Sequence, residues 1–412
     1  MTALHVLIAG GGLGGLALAQ GLLANGHRVD VFERDDDMNR RQGYYLTING
    51  DGGEALRNVL PPDLFELYLD TARQPYPTQA SIVLDTHLNR LGARPSMGPP
   101  NEGDRRHTGV DRRTLRTILA ARIESHIHWG NTAVRYQEDA DGVTLELASG
   151  KTVRGDMLVI ADGIHSVLRD QRLPGTRVIG AAIKGIDLYA RSPYTPELLG
   201  QIPDELHDSM NIVADGKGNR ALLGSFRPRR PIGEAAADIP DVTLTDIGSY
   251  MMVSCSVPST TIVPPAGQWT DKTREDIKNG MRQTVSGWNP AIEAIVDGID
   301  PSTIFSIAFS YLEPEAEWEP SRVTVIGDAA HGMLPTVGMG ANSALRDAGA
   351  LSEAVANVGS DTASIRLAIG AYERAMREFA YPIIRIAADH DNVFGGGALS
   401  RNEKSGTDEA RE

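Results

Sequence analysis

The chain has 412 residues, more than one hydrophobic core usually serves, so two domains are expected. Its 40 Lys and Arg against 54 Asp and Glu give a formal charge of −14, which opposes unaided binding to nucleic acid or an anionic membrane and favours a small ligand. A single cysteine, Cys255, excludes an internal disulfide and reads as a small core residue. No apolar run reaches the roughly 18 residues of a membrane span. The first 26 residues lack a basic leader and carry Gly10 to Gly12, so they read as structure, and a cytoplasmic location is expected.

Leu4 to Ala9 reads as a central strand, followed by Gly10-Gly-Gly12-Leu13-Gly14-Gly15 and a helix carrying Leu16, Leu18, Leu22 and Leu23. A second strand spans Arg28 to Phe32. This βαβ unit has Gly-x-Gly-x-x-Gly at its first turn, where the glycines allow a tight turn, close approach of a pyrophosphate and close helix packing. Glu33 follows 33 − 10 = 23 positions later, where an acid accepts from ribose hydroxyls. These residues predict a dinucleotide site and leave open whether FAD or NAD fills it.

Gly43 to Asn49 reads as a short strand with two exposed tyrosines, and Glu54 to Leu69 as helix interrupted at Pro61-Pro62. Ala80 to Leu84 is a strand within a proline-rich stretch. Asp111 is placed to cap a helix running to Ile123, with Leu115, Ile118 and Leu119 on one face. Arg112, Arg113 and Arg116 sit in its first turns, where the dipole disfavours cations; Arg113 and Arg116 read as solvated, Arg112 as a phosphate contact. Ala133 to Arg154 reads as an antiparallel hairpin or meander, Met157 to Ala161 as a buried strand ending at Asp162-Gly163. The histidines of Ser125-His-Ile-His128 lack a third ligand and read as a solvated strand face, so no metal site is expected. Alternating segments at Val178 to Ala190, Met210 to Ala214 and Ala221 to Phe226 predict a separate antiparallel sheet, whereas Arg274 to Val285 and Pro290 to Val296 read as returning to the first domain.

Val323 to Ile326 is a last buried strand, stopping at Gly327-Asp328. A loop with Pro335, Gly338, Met339 and Gly340 then feeds a helix entered at Ala341-Asn342, whose N-terminus favours an electron-rich group. Ala368 to Asp391 is a further helix despite Pro382, and Ser400 to Glu412 is polar enough for a disordered tail.

Taken together, these stretches resemble the class A FAD-dependent monooxygenases, the single-component aromatic hydroxylases that include p-hydroxybenzoate hydroxylase and the tetracycline-inactivating monooxygenases. Gly10-x-Gly12-x-x-Gly15 with Glu33 is similar to that family's ADP-binding turn. Asp162-Gly163-x-His165-Ser166-x-Leu168-Arg169 resembles its middle motif, although Ile160 stands where the family commonly has glycine. Gly327-Asp328-Ala-Ala-His331 with Pro335, Gly338, Gly340, Asn342 and Asp347 looks like its flavin-ribityl motif, and Val110-x-Arg112-x-x-Leu115 like its phosphate-reaching helix.

The resemblance implies an α/β fold in which a discontinuous Rossmann-like FAD-binding domain (1–75, 102–177, 268–370) carries a mostly antiparallel substrate domain (76–101, 178–267). A C-terminal helix (371–394) and a tail (395–412) complete it. It implies bound FAD, NADH or NADPH as a transient co-substrate, and O₂ reacting through a flavin C4a-hydroperoxide with an aromatic or polyketide-like substrate of secondary metabolism, in a monomer or homodimer. Cofactor contacts would fall on Gly10, Gly12, Leu13, Gly14, Gly15, Glu33, Arg34, Arg112, Asp162, Gly327, Asp328, Pro335, Gly338, Met339, Gly340, Ala341 and Asn342. Pro335, Gly338, Gly340 and Asn342 would line the flavin ring, His331 would be structural, and Arg40 to Tyr45 would let the flavin swing. A FAD-dependent dehydrogenase or reductase, or a non-catalytic ligand sensor, is the alternative; a flavin halogenase is disfavoured because its Trp-x-Trp-x-x-Pro segment is absent.

Overall fold

The computed structural model describes residues 3–38, 44–76, 80–100, 108–180, 187–258, 260–264, 268–307 and 309–389. A five-stranded parallel sheet forms one layer, in the spatial order Val323–Val325, Met157–Ile160, His5–Ala9, Arg28–Phe32, Ile127–His128. Its central strands, His5–Ala9 and Met157–Ile160, are largely runs of Val, Leu and Ile buried on both faces, as a parallel sheet covered by helices requires. Because all five run parallel, Gly10, Glu33, Asp162 and Asp328 follow strands that end on one edge. Chain order reverses at His5–Ala9, and ligands of open α/β sheets bind outside the carboxyl ends at such a switch point.

A seven-stranded sheet forms the second layer, in the order Asp300–Ile307, Asp187–Pro193, Tyr250–Cys255, Arg220–Phe226, Met210–Ala214, Ala80–Leu84, Arg90–Pro95. Every pairing in it is antiparallel except Met210–Ala214 on Ala80–Leu84. Strand alternation divides its side chains. Tyr189, Tyr250, Met252 and Phe226 belong to the core shared with the parallel sheet, while Leu188, Ala190, Met251, Val253 and Leu223 pack with Ile277, Met281, Ile292 and Ile295 of two helices.

Those helices, Asp271–Val285 and Pro290–Asp297, therefore cover the outer face of the second sheet, and Asp300–Ile307 is its edge strand. The expectation that 274–285 and 290–296 return to the first domain is corrected accordingly: helical periodicity identifies an apolar face, not the sheet it meets. Cys255 is buried in this same outer core. The interrupted helix around Pro61-Pro62 is two helices, Gly50–Val59 and Pro62–Thr71, since proline is accepted in a first turn but not inside a helix. The Thr362–Ala388 helix nevertheless continues through Pro382. The tail and most of the Arg40 to Tyr45 segment lie outside the described residues; Tyr45 is buried rather than exposed, and Tyr44 is half-buried. No helix among the described residues is long and apolar enough to cross a membrane.

Candidate active site

Gly10 to Gly15 leave the central strand and enter the Leu13–Ala24 helix. Gly10 holds φ at +115°, and a side chain there would run into the carbonyl of Ala161, so the turn seats directly on the strand that carries the middle motif. At Gly12 an added Cβ would meet nothing within 4 Å: the turn presents an open backbone face. No side chain caps this helix, and its first turn carries no acid.

Glu33 is buried beneath the turn. One carboxylate oxygen accepts the Gly11 N–H at 2.7 Å and the other the Asp35 N–H at 3.0 Å. Arg116 completes the arrangement: its Nε donates to the Gly11 carbonyl at 2.8 Å, and its guanidinium lies 3.3 Å from Glu33 and 3.5 Å from Asp35. The expectation that Arg116 is solvated is thereby corrected. It is 4% exposed, because the helix face bearing Leu115 and Leu119 turns inward and carries Arg116 under the glycine turn, where two carboxylates balance its charge. Its spacing of four from Arg112 is the signal that sequence reasoning passed over.

Beyond Val323–Val325 the chain makes one helical turn, Asp328–His331, where a plain loop was expected, then a 3₁₀ turn at Pro335–Val337 and the Gly340–Val355 helix. Asp347 on that helix ties the segment down: one carboxylate oxygen accepts the Gly327 N–H at 2.9 Å and pairs with His331 Nε2 at 2.6 Å. Burial works to lower the His331 pKa, but the Asp347 carboxylate more than offsets it and the net shift is upward. His331 thus has a structural partner. Asp328, by contrast, is reached by solvent while protein crowds around it, as on the floor of a cleft; that crowding raises its pKa, and the charges of His331 and Arg112 oppose the rise.

The middle motif closes the third side. Burial pushes Asp162 up to about 6, with Ser166 opposing the shift, and its Oδ1 has no hydrogen-bond partner. Ser166 caps the following short helix, and Arg169, itself buried, donates to the Ile164 carbonyl at 2.6 Å. Ile164 in turn packs against Gly332, and a Cβ on Gly340 would lie 3.9 Å from Asp328 Oδ1. Three sequence motifs far apart in the chain therefore meet at one sheet edge.

Residues 252–387 match the family model described as FAD binding domain. The chain is 30% identical over 396 residues to the dual O-methyltransferase/FAD-dependent monooxygenase CTB3 of Cercospora beticola, covering 90% of this chain and 44% of that one. It is 28% identical over 400 residues to the FAD-dependent monooxygenase thnD of Trichoderma harzianum, covering 94% and 92%. A crystal structure of a candidate FAD containing monooxygenase from Photorhabdus luminescens superposes with a TM-score of 0.76 at 25% identity, covering 95% and 98%. The chain is similar to FAD-dependent monooxygenases. It spans under half the length of the first of these relatives.

The residues present fit FAD. The open face at Gly12, the orphaned Asp162 oxygen and the solvent-reached Asp328 form one polar cradle at the switch point. Arg112 is half-buried in the first turn of the Arg112–Ala120 helix, its N–H bonded to the Tyr44 carbonyl at 2.9 Å and its charge felt at Asp328. Arg34 is exposed and acts electrostatically on Asp162. Pro335 and Gly338 are exposed, Gly340 and Ala341 half-buried, Leu13, Gly14 and Met339 buried. The Asn342 side chain serves the fold: it donates to the Thr47 and Gly338 carbonyls at 2.8 and 2.9 Å and accepts the Asn49 N–H at 2.9 Å.

His5 and His128 both bond Asp30 at 2.7 Å on the Rossmann sheet, His128 being half-exposed there as a strand-face residue. A separate hollow between the Gly50–Val59 and Pro62–Thr71 helices, lined in part by Asp51, Glu54, Arg57 and Phe65, holds none of the motif residues.

Proposed function

We propose that the chain is an NAD(P)H-dependent FAD monooxygenase that inserts one oxygen atom from O₂ into an aromatic or polyketide-like small molecule, in the cytoplasm. The observation that carries this reading is the pair of helix N-termini without side-chain caps, at Gly12 and Met339, beside Asp328 and Asp162. Elsewhere Asn49, Asp111, Ser166 and Asp361 cap the helices they precede, while Pro62–Thr71 and Ile232–Ala237 also lack a side-chain cap. Two uncapped positive ends at one edge favour a ligand with two separate electron-rich parts, such as a pyrophosphate and a flavin ring edge.

When bound, FAD reduced by NADH or NADPH supplies the activation of O₂ and the oxygen transfer. Glu33 accepts from the adenosine ribose, Arg112 and the Gly12 backbone meet the pyrophosphate, and Asp328 accepts from a ribityl hydroxyl. The N–H groups of the Met339 to Asn342 segment would hold negative charge at the ring edge. Pro335 shapes the wall beside the ring, and Asn342 fixes that segment to Thr47 and Asn49. One dinucleotide turn supports transient docking of the nicotinamide cofactor in a groove.

The test follows NADH and NADPH oxidation under air with phenols, quinones and polycyclic aromatics, then product mass under ¹⁸O₂. Substrate-stimulated oxidation with one labelled oxygen in the product is expected. Substrate oxidation without O₂ would move the reading to a dehydrogenase, and FAD binding without turnover to a sensor.

A further inference from the structure

The Thr362–Ala388 helix is tied at its middle to the strand that leads into Gly327-Asp328. Tyr372 donates to the Val325 carbonyl at 3.1 Å, and the buried Glu373 accepts from the Thr324 hydroxyl at 2.9 Å. Arg346 of the Gly340–Val355 helix lies over the Phe379 ring at 4.0 Å, so the helix that follows the ring-side loop is gripped as well. From Tyr372 the helix runs 387 − 372 = 15 positions further, about 22 Å, to Ala387.

There it meets the loop itself. The last four carbonyls of a helix have no partner within it, and the Ala387 carbonyl accepts from the Thr336 hydroxyl at 2.9 Å. Thr336 lies half-buried in the Pro335–Val337 turn, which the Gly338 N–H closes by donating to the Pro335 carbonyl at 3.1 Å. On the other side of Gly338, Asn342 donates to the Gly338 and Thr47 carbonyls. The loop is therefore held at both ends, by Thr336 and by Asn342. Gly338 between them sits at φ +67°, with nothing within 4 Å of where its Cβ would stand.

Pro382 stands between the tied middle of the helix and its last turn. It forfeits one helical bond and crowds the carbonyl of Glu378, costs that an alanine would avoid. Proline also bends a helix, which changes where the turns beyond it point.

We infer that the Thr362–Ala388 helix is a splint for the flavin-ring loop: Thr336 is the positioning residue through which the Ala387 carbonyl fixes the Met339 to Asn342 N–H groups, and Pro382 aims the last turn at Thr336. This rests on the oxygenase reading above and adds a positioning residue to it. Hydrogen–deuterium exchange of residues 334–345 would be followed in the cofactor-free, full-length protein. In the FAD-loaded protein the Kd of oxidised FAD and the reduction potential of the bound flavin would be measured. The variants are Thr336→Val, Thr336→Ser and Pro382→Ala.

Thr336→Val should speed exchange of the loop about three- to tenfold, as loss of one net hydrogen bond implies, while exchange of residues 362–380 stays unchanged. Oxidised FAD should bind within about twofold of wild type and the reduced form about tenfold more weakly, which lowers the two-electron potential by about 30 mV. Thr336→Ser should restore both readouts. Pro382→Ala should move both in the direction of Thr336→Val although the helix itself exchanges no faster. Loop exchange and potential unchanged in Thr336→Val or in Pro382→Ala, or no rescue by serine, overturns the inference; FAD held at wild-type strength in those variants leaves the oxygenase reading standing. If the protein takes up no FAD yet its loop exchange follows this pattern, the flavin reading falls while the splint stands.

Discussion

Arg116 gathers the Gly11 carbonyl, Glu33 and Asp35 around one buried cation. Arg116→Met should cost about 1–3 kcal/mol, because those acceptors lose their donor in a dry site, and should weaken FAD binding. Arg116→Lys should rescue little, since an ammonium cannot reproduce the planar fork; calorimetry and FAD titration check both. Two titrations distinguish the acids and bases of the site. His331 has a folded pKa raised above its ordinary value near 6.5, so its contribution is full below that value and lost as pH rises through the folded one. His331→Gln should therefore destabilise most at pH 6 and least at pH 9 in melting experiments. Asp162, raised from 3.8 to about 6, runs with the same sign: its protonated form is tolerated, and stability falls as pH climbs from about 4 to 6. Asp162→Asn should stabilise the cofactor-free protein by roughly 1–3 kcal/mol at pH 7.5 and by almost nothing at pH 4.

At the level of elements, what the sequence made legible was local. Glycines at a strand end, the Ala80–Leu84 strand and the Asp111 cap are written in neighbouring residues, and the structure reproduces each. What it concealed was long-range: Asp111 also reaches Arg191 and Tyr250, 80 and 139 positions away, and so joins the Arg112–Ala120 helix to the second sheet. No periodicity encodes that pairing. Asp111→Ala removes the cap and strands Arg191 together, and should destabilise by about 3–5 kcal/mol. Asp111→Asn keeps the cap and should cost less. A double-mutant cycle with Arg191→Met should return a coupling of about 0.5–3 kcal/mol, measured by denaturant unfolding. The missed Tyr44 cluster has the same origin, since its ring-packing partners Tyr189 and Phe305 lie on strands of another sheet.

For the whole molecule, two layers share one core. The motifs were legible because phosphate and flavin recognition demand particular backbone geometry, which only glycine, proline and capping residues supply. The partners of the second sheet's faces were not, because any apolar alternation builds a sheet face and its partner is set by topology; the helices at 271–285 and 290–297 were misplaced for that reason. Most direct is a FAD titration of cofactor-stripped protein, wild type against Asp328→Ala and Arg112→Met, read by flavin fluorescence and absorbance. Saturable binding of FAD that weakens about tenfold or more in each variant is expected, as loss of a hydrogen bond to a charged group implies. Absence of FAD binding, or binding indifferent to both residues, would contradict the assignment of this sheet edge as the flavin site.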